Sequence, residues 1–213
     1  MRGMSAPDGS GIISVMQQHN RCLFRIAWGI LGSREDAEDA LQSAYLRAFS
    51  SIDSFCGRSS LKTWLTRILI NEALMRRRSA ARMRTGLATD QGTIVQSYIE
   101  KLMGGSAAPA PDEHVVRKQT RGRIDTALAA LPTSFRTVFV LREIEELSVP
   151  EVAALLGLRQ ATVKTRHLRA KAKLRDLLDE EFGELLPQTL PFAGEDCARL
   201  TVRVVSEWLQ SRG

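Results

Sequence analysis

The chain has 213 residues, of which 44% are hydrophobic and 25% charged, ordinary values for a globular protein and incompatible with global disorder. Aromatic residues make up only 6%, and Val, Ile, Thr and Tyr do not gather in alternating runs, which favours helices over strands. The formal net charge of +6 and the pI of about 9.6 point to a polyanionic partner, nucleic acid or an acidic membrane surface.

In chain order, residues 1–11 are small and polar and read as a loose tail. Val15–Leu31 carries Val15, Met16, Cys22, Leu23, Ile26, Ala27 and Ile30 on one helical face and stops at Gly32. Ser33 is a suitable N-cap for a second helix reaching Phe49, whose inner face is Ala37, Ala40, Leu41, Ala44 and Ala48. Glu35, Asp39 and Gln42 fall on another face of it. The loop DSFCGRSS leads into a third helix, Leu61–Arg84, with Leu61, Trp64, Leu65 and Ile68 as its inner stripe. Gly, Pro and Ala at Gly104–Pro111 then mark a linker, with a short helix conceivable at Ile94–Met103.

A second helical block follows. Ile124–Leu131 is broken by Pro132, and Phe135–Ile144 resumes the pattern. Ser148-Val-Pro-Glu151 is a capping box that starts the short helix Val149–Leu156, and Gly157 stops it. Gln160–Leu178 is a long basic helix. Beyond Pro187 and Pro191, Asp196–Gln210 is amphipathic, with Val202, Val205, Trp208 and Leu209 as an apolar stripe. That stripe needs cover, from the chain's own second helical block or from a partner.

The charge is concentrated in two places. Gly57–Gly86 holds eight basic residues against one acid, Glu72, and Arg159–Arg175 holds seven basic residues and no acid, so the remainder is net negative. Ser148–Arg175 combines a capped helix, a glycine turn and a basic second helix opening on small polar residues, the pattern of a helix-turn-helix. In it Gln160, Thr162, Lys164, Thr165 and Arg166 are placed to meet base edges or phosphates, and Arg169, Lys171 and Lys173 to hold the backbone by charge. The alternative is a helical hairpin with a solvated basic face, but such a face usually mixes signs.

The wording of this stretch is also recognisable. LSVPEVAALLGLRQATVKTRHLRAKAKLRDLL resembles the promoter-reading helix-turn-helix of the sigma-70 family, in which "EIA-x-x-L-G-x-x-x-x-TVK-[ST]-R-x-x-RA" is characteristic. Ala161 stands where Gly is common and Thr165 where Ser is common. LPTSFRTVFVLREIEEL is similar to the helix pair that precedes it. GSREDAEDALQSAYLRAF resembles the family's helix for the clamp coiled coil of RNA polymerase; the resemblance makes Asp36, Asp39 and Gln42 the polymerase-facing groups. SLKTWLTRILINEALMRRRSAAR resembles the helix that reads the −10 element and holds the melted strand. There Arg58, Lys62, Arg67, Arg76 and Arg77 supply charge, Asn71 offers a donor and an acceptor to a base edge, and Phe55 walls a pocket for a flipped base. Trp64 reads as a core residue.

The resemblance covers residues 12–84 and 117–178 and is to the compact extracytoplasmic-function group, since the extra domains and melting aromatics of the housekeeping members are missing. It implies an all-α fold: a polymerase and −10-binding domain at 12–84, a linker at 85–116, a −35-binding helix-turn-helix domain at 117–178 and a C-terminal extension at 179–213. It also implies core RNA polymerase and promoter DNA as partners, and anti-sigma factors are frequent partners in that family.

Neither the scattered cysteines (Cys22, Cys56, Cys197) nor the histidines (His19, His114, His167) have metal-ligand spacing, so no metal or cofactor is expected. The odd cysteine count, the lack of a signal-like N-terminus and the lack of a spanning apolar segment point to the cytoplasm and to no membrane insertion. A stand-alone helix-turn-helix regulator is the rival reading, which would bind a palindrome without polymerase. A nucleic-acid-processing enzyme would need converging carboxylates or an activated nucleophile, and neither is evident.

Overall fold

The computed structural model describes residues 9–85, 113–177 and 195–211, and among these every regular element is helical. Helices α1 (Gly9–Leu31), α2 (Arg34–Ser50) and α3 (Leu61–Thr85) pack against one another as a three-helix unit, with a single 3₁₀ turn at Ile52–Ser54. The second unit is α4 (Glu113–Ala130), α5 (Thr133–Phe139) continuing into a π turn (Val140–Ile144), α6 (Val149–Leu156) and α7 (Gln160–Leu177). Helix α8 (Glu195–Gln210) follows. The conceivable helix at Ile94–Met103 lies outside the described residues.

Local chemistry sets most helix ends. The Ser33 hydroxyl accepts from the Asp36 amide at 3.3 Å and caps α2. At α6 the capping box is complete: Glu151 N–H donates to the Ser148 hydroxyl, and Ser148 N–H donates to the Glu151 carboxylate at 2.7 Å. Gly157 ends α6 at φ +64°, the left-handed conformation that favours glycine.

Three expectations shift. Helix α1 begins at Gly9 rather than Val15, because Ile12 and Met16 are fully buried and their burial carries the weak helix formers before them. Helix α4 begins at Glu113, inside the stretch read as linker. The stripe on α3 rotates, with Leu65, Leu69, Ile70 and Ala73 buried and Leu61, Trp64 and Ile68 only partly covered. The inner face of α2 is as expected, with Tyr45 and Phe49 added as a stacked pair 5.6 Å apart.

The two units share one apolar core. Helix α5 and the π turn lie on α1. Arg136 enters the interface, donating to the carbonyls of Gly29 and Ala129, both at 3.1 Å, and sitting over the Trp28 ring. Glu145, just after the π turn, accepts from Arg25 at 2.6 Å and lies 3.9 Å from Lys62. Helix α8 packs on α1 and α2, on the first unit rather than on the helix-turn-helix, with Leu200, Val204 and Trp208 buried.

Candidate nucleic-acid interface

Helix α7 presents its bases outward because Val163, Ala170 and Leu174 hold its other face in the core. Gln160, Lys164, Thr165, Arg169, Lys171 and Lys173 are exposed, while Thr162 and Arg166 are half-buried. Helix α6 braces it from behind, anchored by Val152 and Ala153. The expected groups therefore share one helix as a basic surface, with no acid in the helix from Gln160 to Arg175. Two of them also have structural ties. The Thr165 hydroxyl donates to the Ala161 carbonyl of its own helix at 2.9 Å, and Lys171 lies 3.5 Å from the Glu143 carboxylate.

Glu143 had no assigned part in the sequence reading. It lies in the π turn, 2.6 Å from the His167 ring as well as near Lys171, so one carboxylate ties α7 to the preceding helix pair. Leu168 was also passed over. It is 71% exposed, and the 3.6-residue period puts it on the outward face of α7 with Ala161, Lys164 and Thr165. An exposed leucine within a basic face is the sequence signal for it.

The α3 groups divide. Arg67, Asn71 and Arg77 are exposed. Phe55 is half-buried with its ring 5.3 Å from that of Trp64, so the loop before α3 presents an aromatic pair rather than a lone wall. Exposed Arg58 donates to the Cys56 sulfur at 3.0 Å, which holds that thiol below its ordinary pKa. Lys62 leans toward Glu145 of the second unit. Arg76 turns the other way: it donates to the Ser43 hydroxyl at 2.8 Å and the Asp39 carbonyl, and pairs with Glu72. Its guanidinium braces α2 and is half-buried there.

The two basic surfaces approach each other. Desolvation lowers the Arg77 pKa, and the nearby charges of Arg78 and of Arg166 on α7 lower it further.

On α2, Asp36 and Asp39 are exposed and Gln42 is half-buried. The Gln42 amide is engaged at both ends by α8: its Nε2 donates to Glu207 at 2.6 Å and its Oε1 accepts from Arg203 at 3.0 Å. Arg203 also lies 3.8 Å from Asp39. Nothing in the sequence around Gln42 pointed to that cover. No group of three or more metal-binding side chains occurs among the described residues, and no helix among them is long and apolar enough to cross a membrane.

Known proteins show the same organisation. The model of Sigma-70 region 2 matches residues 15–83, and that of Sigma-70 region 4 matches residues 121–174. The ECF RNA polymerase sigma factor SigW of Bacillus subtilis is 29% identical over 174 residues, covering 80% of this chain and 90% of that one. SigM of Mycobacterium tuberculosis is 31% identical over 173 residues, covering 81% and 80%. CnrH of Cupriavidus metallidurans is 34% identical over 150 residues, covering 68% and 75%. Among solved structures, the sigma factor RpoE in complex with the anti-sigma factor NepR from Bartonella quintana aligns with a TM-score of 0.55 at 26% identity, covering 79% of this chain and 98% of that one. CnrH in complex with the cytosolic domain of CnrY aligns at 0.51 and 26%, covering 82% and 91%.

Proposed function

The chain belongs to the extracytoplasmic-function sigma factors of the sigma-70 family, and on that premise we propose how its residues divide the work of starting transcription. As a sigma factor it joins core RNA polymerase and brings it to promoter DNA. Helix α2 docks on polymerase through Asp36, Asp39 and Gln42. Helix α7 enters the −35 major groove, where Gln160, Thr162, Lys164, Thr165 and Arg166 face bases and Arg169, Lys171 and Lys173 hold phosphates. The loop before α3 and the exposed groups of that helix, Arg58, Arg67, Asn71 and Arg77, take the unpaired −10 strand, with Phe55 and Trp64 offering a stacking edge.

The observation that carries this reading is the exposed basic surface of α7, which carries no acid from Gln160 to Arg175 and is set on a capped brace helix and a left-handed Gly157 turn. Two weakly binding units on one polymerase gain effective concentration, so a promoter must satisfy both. The chain makes and breaks no bond in DNA and acts beside polymerase in the cytoplasm. An anti-sigma partner is inferred from the two solved relatives, each bound to a partner protein, NepR and CnrY.

Reconstituted transcription tests the division. Lys164→Ala or Arg169→Ala is expected to weaken promoter binding with polymerase binding intact, and Arg169→Ala to reduce its salt slope by about one for the phosphate no longer neutralised. Asp36→Arg is expected to do the reverse. Asp36 is chosen because α8 makes its contacts at Asp39 and Gln42. Unchanged promoter-specific transcription in all three variants would overturn the reading.

A further inference from the structure

Helix α8 lies along the face of α2 that carries two of the three groups assigned to polymerase docking. The contact is built from both kinds of surface. Leu200, Val204 and Trp208 are buried against the first unit, 2%, 0% and 4% exposed. Around them the charges alternate in complementary fashion. Arg203 bonds Gln42 and lies near Asp39; Glu207 accepts from Gln42; Arg199 lies 3.9 Å from Glu38; Asp196 pairs with Arg34. At the other edge Asn20 of α1 donates to the Cys197 sulfur at 2.9 Å and lies 3.4 Å from the Thr201 hydroxyl.

Gln42 decides the interpretation. A side-chain amide has one acceptor and one donor end, and here α8 takes both. A partner taking the same donor and acceptor of Gln42 displaces Arg203 and Glu207, and one pairing with the exposed Asp39 competes with the Arg203 guanidinium 3.8 Å away. The face is acidic and amide-bearing, and the element that covers it is an amphipathic helix with two arginines on its polar edge.

We propose that α8 is an intramolecular lid over the polymerase-docking face of α2, so that core RNA polymerase and α8 compete for Asp39 and Gln42. The proposal rests on the assignment of α2 as the docking helix. The chain then exists as a covered form that does not dock and an uncovered form that does, and the apparent affinity for polymerase is the intrinsic affinity scaled by the uncovered fraction. Opening separates α8 from α1 and α2 and leaves the core formed by Ala37, Ala40, Leu41, Leu65 and Leu69 in place.

The test uses the full chain and core polymerase, with affinity measured by fluorescence anisotropy and cover by hydrogen exchange along α2. Arg203→Glu sets a carboxylate against Asp39 and Glu207 and, at a half-exposed position, leaves the core untouched. Val204→Asp opens the same contact from its apolar side. Val202→Asp, on the solvent face at 66% exposure, is the control. Arg203→Glu and Val204→Asp are expected to speed exchange at residues 38–46, leave α3 protected and tighten polymerase binding by about tenfold, the gain for a lid closed roughly nine-tenths of the time. Val202→Asp is expected to change neither. Asp36→Arg separates the two layers. If it leaves polymerase binding unchanged, the docking assignment fails and the lid with it. If it abolishes binding while Arg203→Glu speeds exchange without tightening binding, docking stands and the lid falls. Weaker binding by Arg203→Glu with α3 still protected would overturn the lid too, and would make α8 part of the docking surface.

Discussion

Arg136 of the second unit donates its Nε–H to the carbonyl oxygen of Gly29 in the first, and the neighbouring Thr137 hydroxyl donates to the same oxygen at 3.0 Å. The guanidinium is buried and has no carboxylate partner among the described residues. Burial, with a smaller effect of Arg77, brings its pKa down to about 10, so it stays charged at neutral pH and depends on carbonyls and the Trp28 ring for compensation. Gly32 completes the fit: its φ is +77°, and a Cβ there would stand 2.5 Å from an Arg136 nitrogen.

The interface between the units is therefore expected to open in Arg136→Ala. Loss of hydrogen bonds from a charged donor costs about 1.5–3 kcal/mol. Faster hydrogen exchange at residues 28–32 and a larger radius of gyration in solution scattering check it. Gly32→Ala should act in the same direction. Unchanged exchange in both variants would mean that the contact contributes nothing to docking of the units.

Glu143 offers a test in which positioning and simple charge predict opposite signs. Removing an acid from beside a DNA-binding surface should tighten binding if only net charge matters. If Glu143 instead orients α7 through His167 and Lys171, Glu143→Ala should weaken binding to a −35 duplex several-fold and leave the helix content unchanged. A gel shift at fixed salt with the whole chain distinguishes the two.

Leu168→Gln should alter which −35 sequences are preferred. An exposed leucine on the reading face suits a thymine methyl, and its loss should change discrimination at one base position by up to about tenfold. Selection from a randomised −35 library in reconstituted transcription measures this; an identical preferred sequence would remove Leu168 from the reading surface.

The Ser148 cap should be worth about 1 kcal/mol, read as a lower unfolding midpoint in Ser148→Ala. Its pH dependence has a defined sign. Hydrogen bonds from the Ser148 hydroxyl and amide hold the Glu151 carboxyl below the ordinary 4.5. The folded pKa is thus depressed, so the contribution is full above the unfolded value and fades as pH falls through the folded one. The gap between wild type and Ser148→Ala should be wide at pH 7 and narrow below about pH 4. An equal gap at both would show that the Glu151 half of the box is idle.

How much of this was legible in the chain depends on the range of the interactions. Ser33, Ser148 and Gly157 were readable because each acts on residues three or four positions away. The basic face of α7 was readable because one helix carries it whole. Arg136 was not, since its partner Gly29 is 107 positions distant and neither residue announces the other. The seat of α8 was half readable. Its amphipathic helix was evident, but the stripe of Val202, Val205, Trp208 and Leu209 gave way to Leu200, Val204 and Trp208. Val202 and Leu209 lie on the exposed side, because the side that turns inward is the one whose flanking Arg203 and Glu207 meet Gln42. Arg76 was half readable for a similar reason: its charge suited DNA, and Ser43 and Glu72 also lie within its reach.

Arg203 follows Gln42 by 161 positions, and that separation has a consequence during synthesis. A ribosome adding about 5–20 residues each second makes α2 roughly 8–30 seconds before it makes the helix that covers it. If α2 docks on polymerase and α8 covers it, the nascent chain displays its docking helix bare through that interval. The age of a molecule would then be a variable: newly made chains would engage first, and finished ones would wait.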